Sequence, residues 1–125
     1  MSELQKSRAL QRMLGEGRMV KFTRDDLKKI PTEQGVYVVY NKKQQPAHVG
    51  RTVRGKYGLR QRLMNHYWGR SSFVRVFLRG DKEKLRKECM FRYVVMKGDR
   101  TRALLEAYLI GILCPRHIGT GRARQ

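Results

Sequence analysis

The sequence contains few acidic residues. Only 10 Asp and Glu stand against 29 Lys and Arg, which gives a formal net charge of +19 at pH 7. A charge this large repels itself in the folded state, so we expect a polyanionic partner. A membrane surface and a nucleic acid both fit that description. Nucleic acid is favoured because the basic residues are not gathered on one amphipathic helix.

Acids are missing altogether from residues 34–80, a stretch of 47 residues between Glu33 and Asp81. Because a merely solvated surface normally mixes charges of both signs, this stretch predicts a phosphate-binding face. Its predicted contacts to nucleic acid are Arg51, Arg54, Lys56, Arg60, Arg70, Arg75 and Arg79.

Long apolar runs and cysteine pairs are also absent. The longest nearly apolar run, residues 103–114, contains Glu106 and is too short to span a bilayer. The N-terminus lacks the apolar segment of a signal peptide. Cys89 and Cys114 have no metal-binding spacing and are expected to be reduced thiols. These features predict a cytoplasmic protein, nucleoid-associated if bacterial, with no membrane partner.

The length of 125 residues fits a single domain. We expect a basic N-terminal helical arm over residues 1–30, the domain itself over 31–118 and a flexible basic tail over 119–125. β-Branched and aromatic runs predict a hairpin over 35–50 and a third strand over 90–97. Helical periodicity is seen over 23–29, 59–68, 81–88 and 101–113. The fold class is therefore α/β (α+β), with a small three-stranded antiparallel sheet flanked by helices.

Glu106 lies on the core-facing side of the last predicted helix, among Ala103, Leu109 and Ile110. A buried carboxylate without a partner costs several kcal/mol, so Glu106 needs a positive neighbour. Arg102, four residues earlier, could form an ordinary ion pair with it. A divalent cation such as Mg²⁺ could serve instead, since it prefers carboxylate oxygens.

Arg62 and His66 share one face of the helix predicted over 59–68. The Arg could grip a phosphate oxygen, and the His could donate a hydrogen bond or transfer a proton. A plain helix edge explains the same spacing equally well.

Tyr37 lies in the first strand of the hairpin, where a Tyr usually serves cross-strand packing. Surrounding Arg and Lys and a metal ion would lower the pKa of its phenol, so that Tyr37 could act as a base on water.

These motifs resemble the GIY-YIG endonuclease family. Gly35-Val36-Tyr37 is followed after ten residues by His48-Val49-Gly50, which is similar to the paired family motif. The run from Leu59 to His66 resembles the Arg-xxx-His helix of the family, and the run from Leu104 to Ile110, with Pro115 beyond it, resembles its metal-binding helix. The resemblance covers about residues 33–118, so we expect a standalone single-domain member.

The resemblance implies a DNA endonuclease with one Mg²⁺ or Mn²⁺ held by Glu106. Arg62 would bind the scissile phosphate, Tyr37 would help to activate water, and His48 and His66 would complete the catalytic set. Hydrolysis would leave 5′-phosphate and 3′-hydroxyl ends. Branched DNA, single-stranded DNA and RNA are left open as substrates, as is the oligomeric state.

Two positions depart from the family pattern. His48 stands where the second motif normally begins with Tyr, and we expect its pKa to be near neutrality. Arg116-His117-Ile118 stands where an Asn is usual, so its ordering contact is missing or supplied by His117. The alternatives to a nuclease are a non-catalytic nucleic-acid-binding module on the same fold and a basic RNA-associated protein.

Overall fold

The computed structural model describes residues 1–119, and residues 120–125 of the predicted tail lie outside the described part. Within residues 1–119, no helix combines the length and the apolar character needed to cross a membrane. The helices are α1 (Glu3–Glu16), α2 (Arg24–Leu27), α3 (Gly58–Tyr67), α4 (Lys82–Glu88) and α5 (Asp99–Leu113). The strands are β1 (Val20–Lys21), β2 (Gly35–Tyr40), β3 (Pro46–Arg51) and β4 (Met90–Val95).

The sheet has four strands in the order β1-β4-β2-β3, with antiparallel pairing throughout. The predicted hairpin and third strand are confirmed as β2, β3 and β4. The expectation of only three strands is wrong, because β1 adds a fourth strand at the edge, with Val20 opposite Phe91. Two residues are too few to show the alternation by which a strand is recognised in a sequence.

Strand β2 lies in the middle of the fold, and all six of its residues are buried. Successive side chains of a strand point to opposite faces, so β2 serves two core layers. Tyr37 and Val39 pack with Leu59 and Leu63 of α3. Val36, Val38 and Tyr40 pack on the other face of the sheet, against apolar residues of α1 and α5.

The N-terminal residues pack closely onto the rest of the domain. Ser2 and Gln5 form a capping box that begins α1. Leu10 and Leu14, from the segment expected to be an arm, are buried in the core layer shared with α5. This segment therefore contributes apolar area to the core as well as basic charge.

Arg102 is the largest side chain with less than 2% exposure. Its guanidinium donates hydrogen bonds to the carbonyl oxygens of Thr52, Val53, Met96 and Lys97, and it pairs with Asp99. A buried Arg is tolerated only when its donors are satisfied in this way. It thereby ties the loop that follows β3 to the connection between β4 and α5.

Candidate active site

Tyr37 and Gly50 are direct cross-strand partners in the β2–β3 hairpin. A Cβ atom at position 50 would lie 2.9 Å from Cε1 of Tyr37, and closer still to Cζ and the hydroxyl oxygen. At position 35, a Cβ atom would lie 2.6 Å from Cδ1 of Leu59. Both glycines of the paired motif are thus required by close approach, and Gly50 leaves the space in which the phenol ring lies.

The hydroxyl group of Tyr37 begins a short hydrogen-bonded chain. It lies 2.6 Å from Nε2 of His66, and Nδ1 of the same imidazole lies 2.7 Å from Oγ of Ser71. Tyr37 and His66 are buried, whereas Ser71 is partly exposed. The chain therefore links a buried phenol to the protein surface through a single imidazole.

The pKa values in this chain keep both rings neutral at pH 7. Burial raises the pKa of Tyr37, and the positive charge of Arg62 only partly offsets that rise. Burial also lowers the pKa of His66, well below 6.5, with smaller contributions from His48, Arg62 and His117. The expectation that basic neighbours lower the pKa of Tyr37 is wrong, because desolvation of the phenolate outweighs them.

His48, on β3, pairs with His117, which follows α5. Their Nδ1 atoms lie 3.1 Å apart, and an isolated β-bridge joins the two residues, with the backbone N–H of His117 donating to the carbonyl of Ala47. Burial, the charge of His117 and the charge of Arg62 lower the pKa of His48 to about 3. The expectation of a near-neutral pKa is wrong for the same reason, the loss of solvation. His117 is thus held against His48 by both its ring and its backbone.

Glu106, on α5, forms an ion pair with Arg51 at the end of β3. The distance from Nε of Arg51 to Oε1 of Glu106 is 2.9 Å, and the side chains are 32% and 26% exposed. Arg102 is not the partner of Glu106, because its donors are taken by backbone carbonyls and Asp99. The ion pair that the sequence left open exists, but it is formed with Arg51, which is 55 residues away in the chain.

A basic cavity of about 280 Å³ opens between the loop after β3 and helix α3. Its lining carries no acid and includes Arg51, Arg54 and Arg62, together with Gln61 and Asn65. Three predicted cationic residues therefore converge, and one of them, Arg51, is ion-paired with Glu106, which does not itself line the cavity.

The other predicted nucleic-acid contacts do not line this cavity. Nε of Arg60 donates to the carbonyl of Ile30, and the ammonium group of Lys56 lies 5.7 Å from the centre of the Tyr57 ring. Arg70, Arg75 and Arg79 are exposed beyond the end of α3.

Charged residues on α3 and α5 also affect the pKa values of predicted catalytic residues on other elements. The positive charge of Arg62 acts on the pKa values of Tyr37, His48 and His66, and the negative charge of Glu106 acts on that of Tyr37. Tyr37, His48, Arg62 and His66 therefore lie in one neighbourhood between the β2–β3 hairpin and α3, and Glu106, on α5, is near enough for its charge to act on Tyr37.

The donor set fits one hard divalent cation with few protein ligands. Glu106 is half-buried, and within residues 1–119 its Oε2 atom accepts no hydrogen bond. The same residues contain no group of three or more His, Cys, Asp or Glu that could hold a metal. A cation on Glu106 would therefore complete its coordination with water and phosphate oxygens, as Mg²⁺ commonly does.

The architecture has matches among solved structures. The GIY-YIG N-terminal endonuclease domain of UvrC from Thermotoga maritima, bound to magnesium as its catalytic divalent cation, superposes with a TM-score of 0.55 at 25% identity. The match covers 77% of this chain and 94% of that domain. A cation-bound point mutant of the same domain matches with a TM-score of 0.54 and the same identity. The chain has a GIY-YIG nuclease-like fold.

The GIY-YIG nuclease-like fold is recognisable here by structure rather than by overall sequence. No protein-family model matches the chain, and no curated protein matches it significantly. Within this fold, the structure adds Ser71 to the predicted site and gives His117 a defined contact. Ser71 lies five residues after His66, outside helical spacing, and His117 lies 69 residues after His48. Neither separation gives a periodic signal in the sequence.

Proposed function

We propose that this chain is a metal-dependent endonuclease that hydrolyses DNA phosphodiester bonds, with the activity assigned to residues 31–118. The main support is the position of Glu106, a half-buried carboxylate beside an acid-free basic cavity in a GIY-YIG nuclease-like fold. The cavity attracts phosphate, and the carboxylate attracts the cation that phosphate chemistry needs.

Arg62 binds the scissile phosphate in this proposal. It is exposed, it lines the cavity, and its positive charge reaches the Tyr37–His66 pair. A guanidinium placed here offers two parallel donors to phosphate oxygens and offsets the charge that builds up in the transition state. Arg51 and Arg54 hold neighbouring phosphates of the same strand.

Tyr37 and His66 accept the proton of the attacking water as a relay. The water proton passes to the hydroxyl oxygen of Tyr37 while the phenolic proton passes to Nε2 of His66, 2.6 Å away. Tyr37 stays neutral throughout, which its raised pKa requires. Burial opposes the charged imidazole that results, since it lowers the pKa of His66, and Oγ of Ser71 offsets part of that cost by accepting a hydrogen bond from Nδ1–H.

His48 and His117 support the relay from the side. The His48 ring lies 5.4 Å from the His66 ring, and His117 fixes its orientation through the Nδ1 contact. His48 is neutral at pH 7, so it can act as a hydrogen-bonding group without repelling the cationic residues of the cavity.

Glu106 holds Mg²⁺ or Mn²⁺ through its carboxylate oxygens. When bound, the cation neutralises charge on the phosphate and its leaving oxygen. Oε2 of Glu106 would be available to the cation, and the positive charge of Arg51 at Oε1 would compete with it for the carboxylate. By family analogy, the products carry 5′-phosphate and 3′-hydroxyl ends.

Plasmid nicking tests this function. Wild-type protein should nick supercoiled DNA with Mg²⁺ or Mn²⁺ and stop with EDTA. Glu106→Ala and Arg62→Ala should abolish nicking, and Glu106→Ala should still bind DNA. Glu83→Ala is the matched control for Glu106, because Glu83 is also a helical glutamate paired with an arginine, Arg86.

A non-catalytic nucleic-acid-binding module is the second candidate. The Arg51–Glu106 ion pair favours it, because a carboxylate that already has a cationic partner does not require a metal. This second function would be established by a wild-type protein that binds DNA but cleaves no supercoiled, branched or single-stranded DNA with either metal.

A further inference from the structure

Three aromatic rings are stacked in a column that runs from the candidate site to the surface. The His48 and Phe73 rings lie 5.1 Å apart with an interplanar angle of 20°, and Phe73 and Phe77 lie 5.5 Å apart at 15°. These values are typical of offset stacking. His48 and Phe73 are buried, whereas Phe77 is 38% exposed, so the column ends in an open ring.

We call the exposed apolar residues at this end the ring patch: Phe77, its chain neighbour Val76, and Ile118, which follows His117 in the chain. Val76 and Ile118 are 59% and 58% exposed. Within residues 1–119, the only rings near Phe77 are Phe73, stacked beneath it, and His117, tilted beside it at 5.7 Å. Clustered exposed apolar side chains of this kind mark interaction sites.

Two exposed basic residues near Phe77 in the sequence indicate the chemistry of a partner for the ring patch. Arg75 and Arg79 flank Phe77 in sequence, are exposed, and belong to the acid-free stretch of residues 34–80. A partner that stacks on the exposed ring and pairs with the cations has planar apolar faces and negative charge. Single-stranded nucleic acid has both, and proteins bind it by combining aromatic platforms with basic grooves.

Phe77 itself belongs to a π-helical turn, Phe73–Phe77. Within this wider turn, the rings of Phe73 and Phe77 stack nearly parallel to each other. Phe73 and Val74 are buried, whereas Phe77 is exposed. Turns of this kind are rare and occur frequently at functional sites.

We propose that Phe77 is a stacking platform for an unpaired nucleobase of the DNA strand whose phosphates enter the basic cavity. The inference rests on the proposed function for the cutting step, and it deepens that function by naming the substrate class. DNA with an unpaired or extruded base near the cut is preferred over continuous duplex. In a duplex each base face is covered by its neighbours, so stacking on Phe77 requires the base to be unstacked first.

Binding in EDTA tests the platform without cleavage. The probes are a continuous duplex and the same duplex with an unpaired 2-aminopurine, whose fluorescence is quenched by stacking. Phe77→Ala should weaken binding to the unpaired probe roughly 5- to 100-fold and abolish quenching. Binding to the continuous duplex should stay within about twofold, since phosphate contacts are unchanged.

Further variants separate stacking from folding. Phe77→Trp should retain quenching, and Phe77→Leu should lose it while keeping an apolar side chain on the column. Ile112→Ala is the matched control, because Ile112 is also an exposed apolar residue, 45% accessible, but belongs to α5 and not to the ring patch. It should bind both probes like the wild type.

Three results would overturn the platform. The first is that Phe77→Ala weakens binding to both probes equally. The second is that fluorescence quenching survives in Phe77→Leu. The third is that the wild type is a dimer in sedimentation experiments and that Phe77→Ala dissociates it. The last would assign the ring patch to a second copy of the chain. If nicking fails with every substrate but the probe preference holds, the nuclease is refuted and the platform stands.

Discussion

Replacing Gly50 with alanine should disable the candidate site by displacing Tyr37. The added Cβ atom would lie 2.9 Å from Cε1 of Tyr37 and closer to Cζ and the hydroxyl oxygen. Non-bonded carbon atoms pack best at about 3.5–4.0 Å, so the ring has to shift by roughly 1 Å. Tyr37 is fully buried between β3, β4 and α3, which leaves it little space for such a shift.

The expected cost has two parts. Forcing an extra methyl group into a packed core costs about 1–3 kcal/mol. The shift also breaks the 2.6 Å hydrogen bond to Nε2 of His66, and a buried nitrogen without a partner costs about 1–3 kcal/mol more. The sum, about 2–6 kcal/mol, is a large share of the stability of a small domain. A displacement of about 1 Å at the site should also lower nicking on the order of 100-fold.

Guanidinium unfolding and plasmid nicking measure the two effects separately. Gly111→Ala is the control, because that position has open space in α5 and alanine there should be neutral or stabilise by up to about 1 kcal/mol. Adding Tyr37→Leu to Gly50→Ala should recover part of the lost stability but none of the activity. Full nicking by Gly50→Ala, with a free energy of unfolding within about 0.5 kcal/mol of wild type, would refute the reasoning.

Three further perturbations follow from the same contacts. Acidification should destabilise the protein: the pKa of His48 is about 3 in the folded state and about 6.5 in the unfolded chain. The unfolded chain therefore binds the extra proton, and the free energy of unfolding falls as the pH drops from 6.5 towards 3. Urea unfolding of His48→Phe should show a shallower pH slope, and an unchanged slope would contradict this. Tyr37→Phe should lower the free energy of unfolding by about 1–3 kcal/mol, because His66 loses a buried partner; a variant as stable as wild type would disprove that contribution. Arg51→Met should free Glu106 and tighten Mg²⁺ binding by up to about fivefold in calorimetric titration, since such ion pairs are worth up to about 1 kcal/mol. Weaker binding would mean that Arg51 supports the cation site instead.

Local sequence patterns predicted most of the fold correctly. Alternation over β2 and β4 and helical periodicity over α3 and α5 place these elements within a few residues of their observed bounds. Helix α2 lies within the range predicted over 23–29, and Thr23 caps it by accepting a hydrogen bond from the backbone N–H of Asp26. Strand β1 was missed because its two residues form a strand only through pairing with β4.

The candidate site was less predictable than the fold. Spacing along single elements placed Tyr37, Arg62 and His66 on suitable faces, because helix and strand periods are local properties. The partner of Glu106 was not predictable, since Arg51 reaches it across the sheet edge from 55 residues away. The pKa directions of Tyr37 and His48 were also misjudged, because desolvation depends on what covers a group and not on its neighbours in sequence.

The sequence by itself determined the charge, the order of the elements and the residue types at the site. The strong excess of Lys and Arg, the 47-residue gap in acids and the paired glycine motifs are properties of the chain before it folds. Only the tertiary structure decided how those residues act. It brought His48 and His66 beside Tyr37 and placed His117 against His48, paired Glu106 with Arg51 and left the Phe77 ring exposed at the surface. Burial and long-range contact fix these features, and both arise only when distant segments pack together.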